Sequence, residues 1–264
     1  MIRIAHESPK SIFNEVQKET DYDYALVHLF EEDENYLEQF KEAVRKGREV
    51  ILDNSIFELE EAFDAEKFVP WVNTLKPTWY IIPDALEQAD KTIEQAKDFV
   101  SKYPELPGNS IGVVQGKTYE EIVKCYKELE ALKVDMIAIS FDYSYYTKSC
   151  PHPNKYVSWM LGRVKLIGDL VKDGTINKGK PHHLLGCGLP QEFSFYKHDD
   201  YNFIYSLDTS NPVVHGIKNI PYTQEGLWSK ESQKLHELID YPLDNLDINL
   251  ILSNIKQFRK FTNG

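Results

Sequence analysis

Short apolar runs separated by amphipathic stretches are the feature that most limits how this 264-residue chain can fold. Eight of these runs have the length and the residue types of β-strands. Some, such as Ala25-Leu26-Val27 and Ile111-Gly112-Val113-Val114, are apolar without alternation, which is typical of strands buried on both faces of a parallel sheet. The predicted strands cover residues 2–5, 24–30, 49–53, 79–84, 111–115, 136–141, 183–187 and 203–208.

The stretches between these runs have the period of amphipathic helices. Leu37, Phe40 and Val44 fall on one stripe, and comparable stripes occur in 86–103 and 119–132. Strands that alternate with helices over short turns predict right-handed crossovers and a parallel sheet. Eight such strands favour a closed (β/α)8 barrel of the TIM type over an open, doubly wound α/β sheet.

The last part of the chain contributes a helix that closes the predicted barrel. Ile248, Ile251, Ile255 and Phe258 have the spacing of its apolar face. No internal repeat or linker divides the chain, so the sequence predicts one domain over residues 1–264. No Gly-x-Gly-x-x-Gly or phosphate-loop pattern follows a predicted strand, which weakens nucleotide-binding alternatives.

The composition is that of a globular protein, because 42% hydrophobic and 27% charged residues exclude a disordered chain. No apolar run approaches the roughly 18 residues of a membrane span, and the first residues are too polar for a signal peptide. Cys125, Cys150 and Cys187 are too few and too widely spaced for a disulfide framework, which is typical of a reducing compartment. These features predict a cytoplasmic protein without a membrane partner.

Carboxylates and a carboxamide stand where predicted strands end, and barrel enzymes of this type place their functional groups there. The third strand ends at Asp53, the fourth at Asp84, the fifth at Gln115 and the eighth at Asp208. Each has a structural alternative, because an aspartate ahead of a helix serves as an N-cap and Gln115-Gly116 suits a tight turn. The joint order of these groups, more than any one of them, indicates a site.

In this order the groups resemble the motifs of the tRNA-guanine transglycosylase superfamily, and most of all its short zinc-free members. Those members are the 7-deazaguanine DNA transglycosylases of phages and genomic islands. Asp208, four residues before Pro212, is similar to the family's nucleophile and its downstream proline. Three segments are similar to the family's Asp-x-Gly-Gly-Phe/Tyr, Gly-Ile-Val-Gln-Gly and Leu-Met-Gly-Val-Gly-x-Pro motifs: Asp53-Asn54-Ser55-Ile56-Phe57, Ile111-Gly112-Val113-Val114-Gln115-Gly116 and Leu184-Leu185-Gly186-Cys187-Gly188-Leu189-Pro190.

The resemblance implies an enzyme that replaces guanine in DNA by a 7-deazaguanine derivative (preQ0-like) through a covalent glycosyl–aspartate intermediate. It assigns the nucleophile to Asp208 and general acid–base catalysis to Asp53, and carboxylates suit both roles at an oxocarbenium-like transition state. The implied partners are DNA and a free 7-deazaguanine base, no cofactor is required, and the location is the host cytoplasm if a phage encodes the chain. The residues implied to hold the base are Asp84, Gln115, Gly116, Phe57, Leu185, Gly186 and Ser140.

Within the implied pocket, each side chain has a distinct part. Asp84 accepts from the purine N1–H and 2-amino group, and Gln115 donates to the carbonyl oxygen. The glycines allow a close approach of the base. Phe57 and Leu185 stand against its faces, although a Phe or Leu at such a position is equally typical of core packing.

The chain departs from the family in three places. The closest approach to the family's zinc-binding Cys-x-Cys-x-x-Cys is Cys150-Pro151-His152, so no structural zinc is predicted. Ser140-Phe141 stands in place of Gly-Gly, and Val213-Val214 in place of a Thr-Arg, which speaks against recognition of tRNA in the family's usual way. The alternatives are a tRNA-guanine transglycosylase, a nucleoside or DNA glycosidase that uses the same carboxylates, and an inactive barrel that binds nucleic acid.

The net charge of −12 argues against a generic nucleic-acid coat protein, but residues 148–183 concentrate positive charge. This basic segment holds seven basic and two acidic residues, a net +5, which leaves −17 for the rest of the chain. One interpretation is a phosphate-binding patch with stacking tyrosines upstream, namely Tyr143, Tyr145 and Tyr146. The other is a solvated helix face that includes Arg163, Lys165 and Lys172, with the tyrosines packed in a loop. The lysines predicted to bind phosphates are Lys148, Lys155, Lys178 and Lys180.

Overall fold

The computed structural model of the chain describes residues 1–231 and 233–263. In this range the β-strands are β1 (Arg3–Ala5), β2 (Asp23–Leu26), β3 (Val50–Asp53), β4 (Trp79–Ile81), β5 (Asn109–Val114), β6 (Met136–Ser140), β7 (His182–Leu185) and β8 (Ile204–Asp208). The α-helices are α1 (Phe13–Gln17), α2 (His28–Glu32), α3 (Glu34–Arg45), α4 (Ile56–Leu59), α5 (Ala65–Leu75), α6 (Ala89–Lys102), α7 (Tyr119–Ala131), α8 (Ser144–Ser149), α9 (Lys155–Lys172), α10 (Asn211–Ile217) and α11 (Ile248–Asn263). Short 3-10 helices cover Lys10–Ile12, Pro190–Tyr196, Asp199–Tyr201, Leu235–Leu238 and Leu243–Asn245.

The strands form one parallel sheet in the order β1-β8-β7-β6-β5-β4-β3-β2. In the register, Ala5 lies opposite Asp208 and Leu26 lies opposite Asp53, so strand ends that carry predicted site residues are aligned with their neighbours. Parallel strands that alternate with helices in this way make a TIM-type (β/α)8 barrel. The predicted fold class is confirmed, and α11 is the C-terminal helix that the sequence indicated.

The predicted and observed strands agree in order but differ at their ends. The largest difference is the second strand, predicted over 24–30, which ends at Leu26 and is followed by the helix His28–Glu32. Both parts are apolar and buried, so hydrophobicity alone does not separate a strand from a buried helix there. The backbone N–H of Val27 donates to the carbonyl oxygen of Asp53 at 3.2 Å, and the helix starts directly afterwards.

The internal contacts of the chain divide it into two compact units. The first, the β2–β6 unit, comprises residues 22–140 and 174–183 and includes β2 to β6 and the start of β7. The second, the β8 unit, comprises 1–21, 141–173 and the described residues from 184 onward, and it includes β1, β8 and the end of β7. Whether the chain folds as one domain stays a prediction.

Two helices of the β2–β6 unit, α5 and α7, are capped by residues outside the predicted site. Asp64 caps α5 and Thr118 caps α7, each by accepting a backbone N–H of the first turn. Helix α6 begins at Ala89, and its N-cap residue Gln88 makes no side-chain hydrogen bond to the helix. Asp84 is therefore not the N-cap of the helix that follows β4.

The two long helices of the β8 unit, α9 and α11, are amphipathic. Helix α11 buries Ile251, Ile255 and Phe258, three of the residues whose spacing predicted it. Helix α9 exposes Lys165 and Lys172 and buries its opposite face. In the part of the chain that the structure describes, no helix combines the length and the apolar character needed to cross a lipid bilayer.

Candidate active site

A buried hydrogen-bonded group, which we name the Asp84 cluster, consists of Asn54, Asp84 and Gln115 and follows β3, β4 and β5. Asn54 Nδ2 donates to Asp84 Oδ1 and Gln115 Nε2 donates to Asp84 Oδ2, each at 2.7 Å. The main chain orients both amides, because Asn54 Nδ2 also donates to the Ile82 carbonyl oxygen at 2.9 Å and Gln115 Oε1 accepts from Glu87 N at 2.8 Å. The predicted neighbours Asp84 and Gln115 are thus in contact, and Asn54, to which the sequence assigned no role, joins them.

The Asp84 side chain is nearly fully buried, with 1% of its surface exposed. Burial raises the pKa of its carboxyl group from the ordinary 3.8 to about 6, while the hydrogen bonds from Asn54 and Gln115 act in the opposite direction. The carboxyl group is therefore mostly ionised at pH 7 and takes up a proton slightly below neutral pH. Carboxyl groups perturbed by desolvation are common at functional sites.

The turn after β3 fixes Asp53, which is buried, through side-chain contacts with its own backbone. Asp53 Oδ2 accepts from Ser55 N at 2.9 Å, and Asn54 Oδ1 accepts from Ile56 N at 3.1 Å. Ser55 has a φ of +62°, in the left-handed region that residues other than glycine seldom adopt. Its Oγ accepts from His28 N at 3.3 Å. These contacts hold Asp53 and Asn54 in a fixed relative orientation.

The other residues predicted for the base pocket in the β2–β6 unit are Gly116, Phe57 and Ser140. A Cβ atom at Gly116 would lie 2.9 Å from Ile122 N, so the close approach of α7 requires glycine at this position. Phe57 lies on the short helix α4 with 46% of its surface exposed, which rules out the core-packing interpretation for this residue. Ser140 is the half-buried last residue of β6.

In the β8 unit, Asp208 ends β8 and contacts the loop that follows β7. Its Oδ1 accepts from the backbone N–H of Gly186 at 3.2 Å. Gly186 has a φ of +65°, and a Cβ atom there would lie 2.4 Å from the Phe141 ring, so both the backbone and the ring require glycine. Leu185, the half-buried last residue of β7, precedes it. The predicted residues Asp208, Leu185 and Gly186 therefore lie together.

A buried ion pair supports this loop. Arg163 of α9 is fully buried and donates to Glu192 Oε1 and Oε2 at 2.6 and 3.1 Å. It also donates to the carbonyl oxygens of Leu185 and Gly186, at 2.9 and 3.0 Å. The interpretation of Arg163 as part of a solvated helix face is wrong, because Glu192 neutralises its guanidinium group in the core. We name Arg163, Gly186, Glu192 and Asp208 the Asp208 cluster.

A single peptide group lies between two charges of the Asp208 cluster. The carbonyl of Leu185 and the N–H of Gly186 belong to the same planar peptide. Its oxygen accepts from Arg163 and its N–H donates to Asp208. A cation and a carboxyl group at opposite ends of one dipole strengthen each other's hydrogen bond. The N–H that faces Asp208 is therefore oriented before any ligand binds.

Sequence reasoning missed Lys230, which lies in the irregular segment 221–231 after α10. Its Nζ atom is 3.8 Å from the centroid of the Phe141 ring, the ring that packs against Gly186. Burial lowers the pKa of Lys230, and the thiol and carboxyl groups around it, Asp208 among them, act in the opposite direction. An irregular segment has no hydrophobic period, so the sequence carried no signal for this position.

Two of the lysines predicted to bind phosphates, Lys148 and Lys155, are exposed on α8 and α9 of the β8 unit. The tyrosines predicted to stack on bases beside them are mostly enclosed by protein. Tyr143 and Tyr146 are buried and Tyr145 is half-buried. The loop-packing interpretation therefore holds for Tyr143 and Tyr146.

The other two predicted lysines, Lys178 and Lys180, belong to the β2–β6 unit. Lys178 is exposed, whereas Lys180 is half-buried. The Lys180 ammonium donates to the carbonyl oxygen of Val134 and lies 3.3 Å from Glu130 Oε1. Contact of Lys180 with a phosphate would compete with these two interactions.

The cysteines are not paired with one another. Cys125 and Cys187 are buried and Cys150 is half-buried, and burial raises the pKa of the Cys125 thiol to about 12. Among the described residues, no group of three or more His, Cys, Asp or Glu side chains is placed to hold a metal ion. The expected absence of a zinc site stays a prediction.

Comparison with known proteins gives a resemblance of fold and no family assignment. No protein-family model matches the chain, and no curated protein matches its sequence. Among solved structures, the chain is similar to a mutant of methylaspartate ammonia lyase from Clostridium tetanomorphum, with 12% identity and a TM-score of 0.47. The alignment covers 98% of this chain and 60% of the lyase, so the chain spans less than two thirds of that enzyme's length. At this similarity the comparison carries no argument about the reaction.

Proposed function

We propose that the chain is an enzyme, a glycosyltransferase that exchanges guanine in DNA for a 7-deazaguanine base through a covalent bond between Asp208 and C1′ of the sugar. The observation that carries the proposal is the Asp84 cluster. Two residues that the resemblance assigns to base binding, Asp84 and Gln115, share a buried hydrogen bond just after the ends of neighbouring strands. Barrel enzymes bind their substrates at such strand ends.

The Asp84 carboxylate suits the hydrogen-bonding edge of guanine. Each of its oxygens accepts one amide N–H from the protein and retains capacity for another donor. Guanine and 7-deazaguanines offer two neighbouring donors, the N1–H and the 2-amino group. Adenine offers an acceptor at N1, which would leave Asp84 facing a lone pair and would be strongly rejected. The cluster therefore favours a guanine-type base on both sides of the exchange.

Asp208 supplies the nucleophile in this proposal. A carboxylate oxygen of Asp208 bonds to C1′ while the bond from C1′ to guanine N9 breaks, and the departing guanine takes a proton from Asp53. The incoming base then returns a proton to Asp53, bonds to C1′ and releases Asp208 as a carboxylate. The Gly186 N–H stabilises that carboxylate when it leaves, because the donor is already aimed at it.

The test is base exchange by the full chain on tRNA and on DNA oligonucleotides that contain guanine, as single strands and as duplexes. Isotope-labelled 7-cyano-7-deazaguanine is supplied, and nucleosides are measured by mass spectrometry. We expect labelled nucleoside in DNA in the same amount as released guanine, none with Asp208→Asn, and a normal yield with the exposed control Asp244→Asn. Guanine release without incorporation would indicate a glycosidase, and incorporation into tRNA alone would indicate the tRNA enzyme. No release and no incorporation on any substrate would overturn the proposal.

A further inference from the structure

The Lys230 side chain is held in a defined place although its segment is irregular. Tyr156 Oη donates to the Lys230 carbonyl oxygen at 3.0 Å, and Asn154 Nδ2 donates to the Trp228 carbonyl oxygen at 2.6 Å. Two side chains at the start of α9 thus fix the backbone on either side of Ser229. These contacts fix the main chain of Lys230, and its ammonium group lies over the Phe141 ring.

The ammonium group and the carboxyl group of Asp208 are connected through one ring. Nζ lies 3.8 Å from the Phe141 centroid, Phe141 packs against Gly186, and the Gly186 N–H donates to Asp208. Among the residues that the structure describes, no acceptor lies within hydrogen-bonding distance of Nζ. The Phe141 ring is a weaker partner for this half-buried ammonium than an oxygen acceptor would be, so a ligand that brings an acceptor would offset more of the cost of burying the charge.

The charges around Lys230 limit which acceptor fits. The groups that act electrostatically on the ammonium are Cys187, Asp142, Glu7 and Asp208, from the β7 loop, the β6 end, the β1 end and the β8 end. These groups include three carboxyl groups and no second cation, so negative charge outnumbers positive charge among them. A doubly charged anion would be repelled more strongly than a singly charged oxygen, and a neutral acceptor would not be repelled.

We propose that Lys230 is a substrate-binding residue that donates to a neutral or singly charged acceptor of the molecule bound at Asp208. The inference rests on the proposed function for the role of Asp208. Base exchange brings two sources of such an acceptor. One is a phosphodiester oxygen of the nucleic acid, and the other is the carbonyl or the 7-substituent of the incoming base.

Lysine labelling tests binding without requiring turnover. The full chain is acetylated briefly, and the modification of each lysine is measured by peptide mass spectrometry, alone and with a guanine-containing single strand or with 7-cyano-7-deazaguanine. We expect a ligand at ten times its Kd to lower the labelling rate of Lys230 about tenfold. Lys102 is the control, because its ammonium also lies over an aromatic ring, Tyr103 at 5.5 Å, and its labelling should not change.

The ligand that protects Lys230 from acetylation identifies the source of the acceptor. Steady-state kinetics of Lys230 variants provide an independent check of that identification. Lys230→Gln should raise the KM for that same substrate about tenfold or more with little change in kcat, because a charged hydrogen bond is lost. Lys230→Arg should bring the KM most of the way back to the wild-type value, because arginine replaces that hydrogen bond. Equal labelling of Lys230 with and without both ligands overturns the inference, even if exchange is observed. Protection without exchange supports Lys230 as a binding residue and counts against the proposed reaction, so the two failures are distinguishable.

Discussion

The Asp84 cluster and the Asp208 cluster each hold a buried aspartate near the end of a barrel strand, but by different means. Neutral side-chain amides hold Asp84, and among the described residues it has no ion pair. Asp208 contacts a backbone N–H, and the loop that carries this N–H is fixed by the buried pair of Arg163 and Glu192. One carboxyl group thus accepts from side-chain amides, and the other accepts from a main-chain N–H of a loop that a buried ion pair supports.

The difference gives one residue type two electrostatic environments. Amides alone do not offset the desolvation of a carboxylate, so burial raises the pKa of Asp84 to about 6. Such a group suits the recognition of a neutral base by hydrogen bonds. The oriented peptide and the nearby Lys230 suit a group at which charge changes during reaction, because preorganised charges act without further movement.

The largest effect is expected from removing the reactive charge in the Asp208 cluster alone. Asp208→Asn should lower exchange by about three orders of magnitude or more, because an amide cannot form the glycosyl ester. Binding of the free base, measured by calorimetry, should change little, because we propose that the Asp84 cluster binds the base. Retained exchange, or lost base binding with intact circular dichroism, would contradict this division of tasks.

The next effect concerns stability and the charged support of the Asp208 cluster. Arg163→Met leaves Glu192 buried without its partner, which should lower the free energy of unfolding by about 3–5 kcal/mol. Urea unfolding measures it. The matched control on the same helix is Lys165→Met, which removes an exposed lysine paired with the half-buried Asp169 and should cost less than about 0.5 kcal/mol. Similar losses for both variants would mean that burial of the pair is irrelevant.

A smaller effect is expected in the pH dependence of stability, which depends on the neutral surroundings of Asp84. Because its pKa is raised from 3.8 to about 6, the folded state keeps a proton that the unfolded state loses, and stability falls as pH rises through that window. Between pH 4 and pH 7, wild type should lose about 2 kcal/mol of unfolding free energy relative to Asp84→Asn. Parallel stability curves for the two proteins over this range would contradict the raised pKa.

The same pH window has a consequence for binding. The N1–H and 2-amino donors of the base require ionised Asp84, so affinity for 7-cyano-7-deazaguanine should fall below pH 6, by up to tenfold per pH unit. Calorimetric titrations at pH 5 and pH 7.5 provide the comparison. Asp84→Asn should bind weakly at both pH values. An affinity of wild type that does not vary with pH would exclude Asp84 from the contact.

The smallest effect separates the lysines of the two units. Lys148→Gln should reduce the magnitude of the salt slope of duplex DNA binding by about 0.9, the value for one lost phosphate contact. Lys180→Gln should leave the slope unchanged, because the Lys180 ammonium already binds the Val134 carbonyl and Glu130. Salt titrations followed by fluorescence anisotropy give both slopes. A reduced slope for Lys180→Gln together with an unchanged slope for Lys148→Gln would mean that Lys180, and not Lys148, contacts a phosphate.

The fold was predictable because strands buried in a parallel sheet appear as continuous apolar runs in the sequence. Such runs can be recognised without knowing which residues contact one another in the fold. Strand ends could be located for the same reason, which placed at or just after them Asp53, Asp84, Gln115 and Asp208. The roles of these four residues stay predictions. The helix His28–Glu32 was missed because an apolar run continues from the strand into it.

Residues whose role depends on a distant partner were not predictable. Arg163 has the spacing of a solvated helix face, and only Glu192, 29 residues later, makes it a core residue. Lys230 is placed by contacts with α9 from an irregular segment, so no period marks it. Asn54 lies in the motif that begins at Asp53, but its hydrogen bond to Asp84 joins residues 30 positions apart. Long-range pairing, more than composition, limited the prediction of the site.

The peptide between Leu185 and Gly186 can report on the chemistry as well as support it. Its carbonyl oxygen receives a guanidinium donor and its N–H faces a carboxyl group, so its electron distribution responds to both ends. An isotope label in this one peptide would carry the state of Asp208 into the infrared amide band and into the Gly186 proton resonance. Formation of the ester would remove the negative charge from Asp208 and shift both signals at once. The covalent ester of Asp208 would then be observable in solution as a change in these two signals, without any amino-acid substitution.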